Sequence, residues 1–482
     1  MLSRIKVIVV GLLFVYQEGL AQSFLNLDFE YGGYHSQPPK WSIEGEGEMY
    51  YGYVDSAVKV HGASSLHLQL KNGELYTYLS IPGKLVPGST IQFRAYIKFG
   101  RSDSLTTMLA FRDPAAEKPI ASPIARPNKD EWLPVDLQAS FNNAYSSDRL
   151  LVALAGIGTG EFWLDNVSIK INGVEYGNGQ PDFKEPAQNE IMQLNLKTDP
   201  ITHFNSDTRF NDLAPLKKII GDARIVALGE NSHGSAPILR LKLRLIQFLV
   251  TKAGFSIFAL ESPADKAEKI NDYVLSGKGT VADVVEALAY PSWQVKEMLD
   301  IIQWMRWYNK TAAEKIEFKG FDKQKTSAQG NLSRDEVMAK AIDSLIRSSH
   351  GKKIILSGDN THVTKASGKM GSFLRQWYGD NYIPFGFTYN RGTYAAYGPE
   401  KYYEVYPSYP GTFEYFFSRC KYTNFYCDLR NMHSVTLLDK TMGFRCIGSR
   451  PQLTTQFAEI DLKKHFDVVV YIERSEHTNN IR

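Results

Sequence analysis

The stretch that decides the fold is residues 224–262, RIVALGENSHGSAPILRLKLRLIQFLVTKAGFSIFALES. It opens with a short apolar run, 224–228, that predicts a buried strand. After the polar segment GENSHGS, apolar side chains recur at helical spacing until Gly254, at Ile238, Leu241, Leu245, Phe248 and Leu249. A second apolar run then begins at once at 255. Two strands joined across one helix predict a parallel βαβ unit.

The same pattern recurs twice more along the chain. A helical region through Met305 leads to the strand-like run IEFKGFD at 316–322, and the helical segment 333–351 leads to KKIILSGDNTH at 352–362. Strands that alternate with helices are typical of an α/β domain. We therefore predict that residues 196–482 form an α/β domain with a parallel sheet flanked by helices.

Each of the four predicted strands ends in a carboxylate. Ligands of open parallel sheets bind beyond the carboxyl ends of the strands, so four such acids are expected to converge on one crevice. Two histidines follow two of the strand ends and join the group. The predicted cluster is Glu230, Glu261, Asp322, Asp359, His233 and His362.

A histidine among carboxylates is suited to take a proton from water, because a neighbouring acid fixes its tautomer and stabilises its charged form. His233 is the candidate base, and Glu230 and Glu261 are placed to orient the ring or the attacking water. Lys242 and Arg244 on the next helix are candidates to hold a carbonyl oxygen or an anionic group. Asp322 and Asp359 are assigned to substrate binding. No GxSxG motif occurs, which favours direct attack by water.

The N-terminal half has a different pattern. From 24 to 174, short alternating stretches such as TIQFRAYIKF are separated by Gly, Pro, Asn and Asp, which predicts an all-β sandwich, 22–174. Residues 175–195 are rich in Gly, Pro, Asn and Gln and read as a linker.

The first residues carry an export signal. Arg4 and Lys6 precede an apolar run, and small residues around Ala21 suit a signal peptidase, so 1–21 is predicted to be a signal peptide. The mature protein is then expected to be periplasmic or secreted, with no membrane segment. The formal charge of +3 and the absence of a basic stripe give no support for a nucleic-acid partner. An oxidising compartment would permit one disulfide among Cys420, Cys427 and Cys446.

The N-terminal half resembles the jelly-roll carbohydrate-binding modules of secreted enzymes. The resemblance rests on NLDFE at 26–30, HGASSLHL at 61–68, Trp132 and FWLDNVSI at 162–169. It implies a structural calcium, for which Glu30 and Asp165 are the candidate ligands. The aromatics Trp41, Tyr50, Tyr51 and Tyr53 are open to two interpretations, a sugar-stacking platform or sandwich core.

The C-terminal half resembles the erythromycin esterase family. The motifs that carry this resemblance, in the same order as in the family, are LGENSHGS, Lys242, GFSIFALES, WMRWYN, FKGFD, NLSRDEVMA and DNTHV. It implies hydrolysis of an ester by a water that His233 activates without a cofactor, with Glu230, Glu261 and His362 in the same site. Lys242 falls where the family has a basic residue, often arginine.

The sequence departs from the family at Asp359, where the late motif commonly has histidine. Together with Lys242, this departure favours an ester other than a macrolide lactone, such as a glycan ester or a secondary metabolite. One alternative is a metal-dependent hydrolase that uses zinc or manganese, with ligands drawn from His233, Glu230, Glu261, Asp359 and His362. A second alternative is a non-catalytic glycan-binding protein.

Overall fold

The computed structural model describes residues 24–31, 38–82, 88–100, 104–112, 120–124, 130–141, 149–179, 185–205, 209–322, 332–396, 402–405, 407–449 and 456–481. The predicted signal peptide, 1–21, lies outside these residues. The chain divides into two compact units, Met1–Glu185 with Gln452–Gln456, and Pro186–Pro451 with Phe457–Arg482. No helix among the described residues has the length and apolar character needed to cross a membrane.

The first unit consists of antiparallel strands around one core. They are β1 (Ser42–Asp55), β2 (Ser65–Pro82), β3 (Ser89–Phe99), β4 (Thr106–Arg112), β5 (Ile120–Ile124), β6 (Leu133–Phe141), β7 (Arg149–Ile171) and β8 (Val174–Tyr176). The main order is β1-β2-β7-β3-β6. The long β7 joins the unit together, because its first half pairs with β4 and its second half with β3.

Side chains of this unit alternate between core and surface as the sequence pattern predicts. In β3 every second residue is buried, from Ile91 to Phe99, which is the period of a strand with one covered face. Trp41 lies in the same core with 2% of its surface exposed, which favours the core interpretation for that aromatic. The described part of 22–174 is thus all β, as predicted, and its jelly-roll arrangement stays a prediction.

The second unit contains a large mixed sheet with helices. Its strands are β9 (Thr198–Pro200), β10 (Ile225–Leu228), β11 (Phe255–Pro263), β12 (Glu317–Asp322), β13 (Lys353–Ser357), β14 (Tyr382–Tyr394), β15 (Tyr403–Val405), β16 (Asn424–Asp428), β17 (Thr441–Arg445), β18 (Phe457–Asp461) and β19 (Val468–Ser475). Its helices are α1 (Gln188–Asn195), α2 (Leu216–Ile220), α3 (Ala236–Ala253), α4 (Ala264–Ser276), α5 (Val281–Ala287), α6 (Lys296–Asn309), α7 (Arg334–Ser348), α8 (Asn360–Val363), α9 (Met370–Tyr378), α10 (Phe413–Ser418) and α11 (Leu462–His465).

The sheet corrects the prediction of a purely parallel arrangement. Its order is β12-β11-β13-β10-β14-β19-β16-β9, and the first six strands are parallel. The strands β9, β15 and β16 pair antiparallel, and they lie outside the segment 224–362 whose alternating helices and strands predicted the parallel sheet. Moreover, β13 lies between β10 and β11, so these two strands are parallel but not adjacent. The four strands that end in acids are therefore consecutive in the sheet.

Two local features show how the sequence specifies this unit. Helix α3 ends at Gly254, which adopts φ 72° as the left-handed cap, a conformation that glycine adopts without steric cost. Helix α1 lies within the stretch 175–195 that was interpreted as linker, and its Leu194 is fully buried in the core of the second unit.

Candidate active site

The loop 229–235, between β10 and α3, holds the candidate base in a fixed orientation. The Glu230 Oε1 and His233 Nδ1 atoms are 2.6 Å apart. The backbone is tied down as well, because Asn231 O accepts N–H groups from Ile447 and Gly448, and His233 N donates to Gly448 O. The indole of Trp293 contacts the imidazole edge-on, with ring centroids 4.8 Å apart. Of the two ring nitrogens, Nε2 is left as the one available to a substrate or water.

Both glycines of this loop are needed for close packing. A Cβ on Gly229 would come within 2.2 Å of Asn360 Oδ1, and a Cβ on Gly234 within 1.8 Å of Ala395 O. Neither gap admits a methyl group without moving the backbone or a buried amide. The two glycines of the GE-x-x-HG element are thus required where the loop lies against Asn360 and against Ala395.

Lys242 lies beneath the loop and not at its surface. Its side chain is 0% exposed, and its Nζ donates to Glu230 Oε2 at 2.6 Å and to Ser357 Oγ at 3.0 Å. Burial lowers the pKa of Lys242 despite the attraction of Glu230. Burial opposes the charge on Glu230 also, but Lys242 and His233 outweigh it and lower the pKa of this carboxyl. Lys242 therefore positions Glu230 and does not reach a substrate, which corrects its assignment to substrate binding.

The charge state of His233 is set by its acidic neighbours. Burial disfavours the charged ring, but the hydrogen bond and charge of Glu230, with added contributions from Asp359 and Glu261, raise the pKa of His233 to about 9. The sequence suggested a base that titrates near neutral pH. In the structure the ring is mostly protonated at pH 7, so its neutral form is a minor species there.

Asp359 faces the open nitrogen of the base. Its Oδ2 is 3.9 Å from His233 Nε2, too far for a hydrogen bond. Its other oxygen caps α8 by accepting the N–H of Thr361, and its own N–H donates to Glu261 Oε2 at 3.1 Å. A water beside Nε2 and Oδ2 would find an acceptor at Oδ2, and a second acceptor at Nε2 when the ring is neutral.

The second half of the cluster is organised by Arg334, at the start of α7. Its guanidinium donates to Glu261 Oε1 at 3.1 Å and to both oxygens of Asp322, and Nη1 is 3.1 Å from His362 Nε2. His362 Nδ1 is 2.8 Å from the Asp335 carboxylate. Burial opposes the charged ring of His362, but the Asp335 hydrogen bond and Glu261 outweigh it and raise its pKa.

Asn360 fixes the loop after β13 to the next strand but one, β14. Its Nδ2 donates to Phe387 O at 2.8 Å and its Oδ1 accepts from Phe387 N at 3.1 Å. These two bonds imitate a strand pair beyond the end of β13. Asp359 and His362 are thereby placed by contacts to the sheet itself.

Arg244 does not belong to the cluster, which corrects its assignment to substrate binding. Its guanidinium forms a buried ion pair with Asp212, Nη2 to Oδ1 2.9 Å, and donates to the carbonyl oxygens of His203 and Arg209. Two residues along a helix lie about 200° apart around its axis, so Arg244 points away from Lys242. The structure thus brings seven of the eight predicted catalytic and substrate-binding residues together.

Glu30 and Asp165, the candidate calcium ligands of the first unit, act as backbone caps. Glu30 Oε1 accepts the N–H groups of Ala63 and Ser64, and Asp165 Oδ2 accepts those of Val60 and His61. A calcium ion would compete with backbone N–H donors for Glu30 Oε1 and for both oxygens of Asp165. Among the described residues no three His, Cys, Asp or Glu side chains form a group that could hold a metal ion. A structural calcium in the first unit stays a prediction.

Several site residues were not predicted from the sequence. Four of them, Arg334, Asp335, Tyr290 and Trp293, contact the predicted acids or histidines, and Ser357 accepts a hydrogen bond from Lys242. Tyr290 donates its hydroxyl to Asp322 Oδ2 at 2.8 Å from a turn in which Ala289 has φ 60°. The sequence contains one signal for Arg334. The helix cap S-R-D-E at 333–336 places this residue at the start of a helix near a strand end.

The residues of this site lie largely in a segment that is similar to a known protein family. Residues 250–330 and 323–475 match the model of the Erythromycin esterase family. The C-terminal unit is erythromycin-esterase-like. The match includes Glu261, Asp322, Arg334, Asp359 and His362, whereas Glu230, His233 and Lys242 precede it. This family match supports the conclusion that the unit is a hydrolase.

Individual relatives of the erythromycin-esterase-like unit agree with the family match. Erythromycin esterase type II of Escherichia coli is 39% identical over 123 residues, 26% of this chain and 29% of that protein. Erythromycin esterase type I of Escherichia coli is 25% identical over 144 residues, 29% of this chain and 34% of that protein. The chain thus matches about a third or less of the length of each of these relatives.

Solved structures show the fold of the unit. A Bacillus cereus protein has a TM-score of 0.54 at 22% identity and covers 62% of this chain and 100% of its own. A carbohydrate-binding module in complex with β-1,4-galactotriose covers 31% of this chain and 97% of its own at 12% identity and a TM-score of 0.24.

Proposed function

We propose that the erythromycin-esterase-like unit hydrolyses an ester by direct attack of a water that His233 activates. The observation that supports this proposal is the orientation of the base: Glu230 fixes Nδ1 at 2.6 Å, and Nε2 faces Asp359 at 3.9 Å. A histidine whose second nitrogen is fixed by a carboxylate is the base half of a hydrolytic triad. We also propose export, on the pattern of residues 1–21.

A water nucleophile is favoured over a side-chain nucleophile. Among the described hydrogen bonds, His233 has no Ser, Thr or Cys partner that it could activate. Cys446 lies near Asp359, but burial and the charge of that carboxylate raise the pKa of its thiol to about 12. It is therefore a thiol at neutral pH and a poor nucleophile.

The donor set favours a mechanism without a metal. Both oxygens of Glu230 already accept from cationic partners, Lys242 and His233, and Glu261 accepts from Arg334 and from a backbone N–H. A divalent ion would compete with these fixed positive groups for the same oxygens.

The test is hydrolysis of a panel of esters by the purified protein, with and without a chelator. The panel contains a macrolide lactone, acetylated glycans and small aryl esters. Turnover that is unaffected by the chelator is expected. Loss of turnover with the chelator would support the metal-dependent alternative, and failure to hydrolyse every ester would contradict the proposal.

The pH dependence of kcat/KM follows from the raised pKa of His233. Only the neutral ring accepts a proton, and its fraction grows about tenfold per pH unit below the pKa. We expect kcat/KM to rise roughly tenfold per unit between pH 6 and 8 and to level off near the pKa of about 9. Initial rates corrected for spontaneous hydrolysis check this expectation.

Asp359→Asn is the matched variant for the pH profile. Asparagine keeps the oxygen that caps α8 but removes the charge beside Nε2, so the rising limb should move to lower pH. A profile that is flat from pH 6 to 9 in the unmodified protein would contradict the expected rise. A rising limb that Asp359→Asn leaves in place would show that the limb does not report the titration of His233.

A further inference from the structure

Arg334 differs from the other cations of the site in its exposure. Its side chain is 49% exposed, although it contacts carboxylates that are each 8% exposed, Glu261 and Asp322. Lys242 is 0% exposed. Of the Lys and Arg side chains that contact the clustered acids in the described part of the chain, Arg334 is therefore the one that can meet a substrate.

The guanidinium of Arg334 is held in place with donor capacity left over. An arginine has five N–H groups. Among the described residues, one N–H of Nε and two of Nη2 donate to carboxylates, and Nη1 donates to His362 Nε2 only when that nitrogen carries no proton. One N–H on Nη1 is left for a ligand, on a group whose plane is fixed by two acids.

Arg334 and His233 are linked through the same two acids. Glu261 accepts from Arg334 with Oε1 and from the N–H of Asp359 with Oε2, and Asp359 Oδ2 faces His233 Nε2. A substrate that binds at the Nε2 side of His233 is therefore expected to contact Arg334 as well, because Glu261 and Asp359 connect the two residues. A fixed donor of this kind stabilises charge that develops in the transition state without reorganisation.

We propose that Arg334 is a catalytic residue that donates a hydrogen bond to the carbonyl oxygen of the ester, a role that rests on the proposed function. The water oxygen bonds to the carbonyl carbon while the water proton passes to His233 Nε2. The carbonyl π pair moves onto the oxygen that Arg334 holds. When this pair returns, the C–O ester bond breaks and the alkoxide takes the proton from Nε2.

The test separates kcat from KM in Arg334→Gln, Arg334→Lys and Arg334→Gly. A donor that acts in the transition state gives a kcat lower by about 10²–10³-fold with KM nearly unchanged. The kcat of Arg334→Lys should lie between that of Arg334→Gln and that of the unmodified protein, since lysine keeps the charge but not the planar guanidinium. Added guanidinium chloride at millimolar concentration should restore part of the kcat of Arg334→Gly. The control is Arg347→Gln, on the same helix, whose side chain is 79% exposed.

A purely structural role for Arg334 predicts a different result. The variants would then change KM and melting temperature together, and guanidinium would not restore turnover. Either that result or an unchanged kcat would overturn the proposal.

Binding of methyl phenylphosphonate, a tetrahedral anion, provides a readout that needs no turnover. Calorimetry is expected to show at least tenfold weaker binding to Arg334→Gln than to the unmodified protein. If no ester is hydrolysed but this difference appears, the ester proposal fails, and Arg334 remains a donor to a tetrahedral anion at this site. Equal affinity in the two proteins would contradict the role of Arg334.

Discussion

Replacing His233 with asparagine is expected to lower kcat by about 10²–10⁴-fold for an ester that the unmodified protein hydrolyses, while the fold is retained. The variant removes the nitrogen that accepts the water proton. It leaves the buried Glu230 paired with Lys242 at 2.6 Å, so no uncompensated charge is created beneath the loop. Steady-state kinetics and the melting temperature of the same preparation check both parts of the expectation.

The control for this variant is His433→Asn. His433 is exposed and lies after the short turn Leu429–Asn431, in a segment that contributes nothing to the candidate site. Its replacement should leave kcat and stability unchanged. If His233→Asn retained more than about a tenth of the turnover, His233 would not be the principal base.

The second large effect concerns stability. Replacing Lys242 with methionine is expected to cost about 3–5 kcal/mol of unfolding free energy, because a buried carboxylate loses its cationic partner. The low end of that range applies where His233 is protonated, since the ring still compensates Glu230 in part. Ser357 Oγ would also lose a hydrogen bond from Nζ. Denaturant unfolding of both proteins at pH 7 measures the difference.

The double variant Lys242→Met with Glu230→Gln identifies the cause. It removes both charges, so it should recover much of the stability that the single variant loses. Lys252→Met, at an exposed position on the same helix, is the control for the substitution itself. A single variant as stable as the Lys252→Met control would contradict the assignment of Lys242 and Glu230 as a buried ion pair.

The sequence predicted the site best where strand ends position it. Glu230 and Asp359 follow β10 and β13, and Glu261 and Asp322 lie in the last residues of β11 and β12. These four parallel strands are consecutive in the sheet, so the general rule for such sheets correctly predicted that the acids meet. The order of those strands could not be predicted, because β13 enters between β10 and β11 through long-range pairing.

Side chains on helices were harder to predict. Lys242 and Arg244 both lie on α3, which is buried nearly all round, so the sequence could not tell which faced the site and which faced Asp212. Arg334 is visible as a residue after a helix cap, but its contacts with Glu261 and Asp322 join segments far apart in the chain. Such contacts depend on the whole sheet being assembled.

The bonds between Asn231 and residues 447–448 determine when the site can exist during synthesis. Asn231 O accepts from both N–H groups of that late segment, and His233 donates its own N–H to Gly448 O. A nascent chain that already contains every acid and histidine of the cluster still lacks the backbone that holds the loop. The loop 229–235 is therefore expected to take up the orientation seen in the structure only after residues 447–448 have been synthesised.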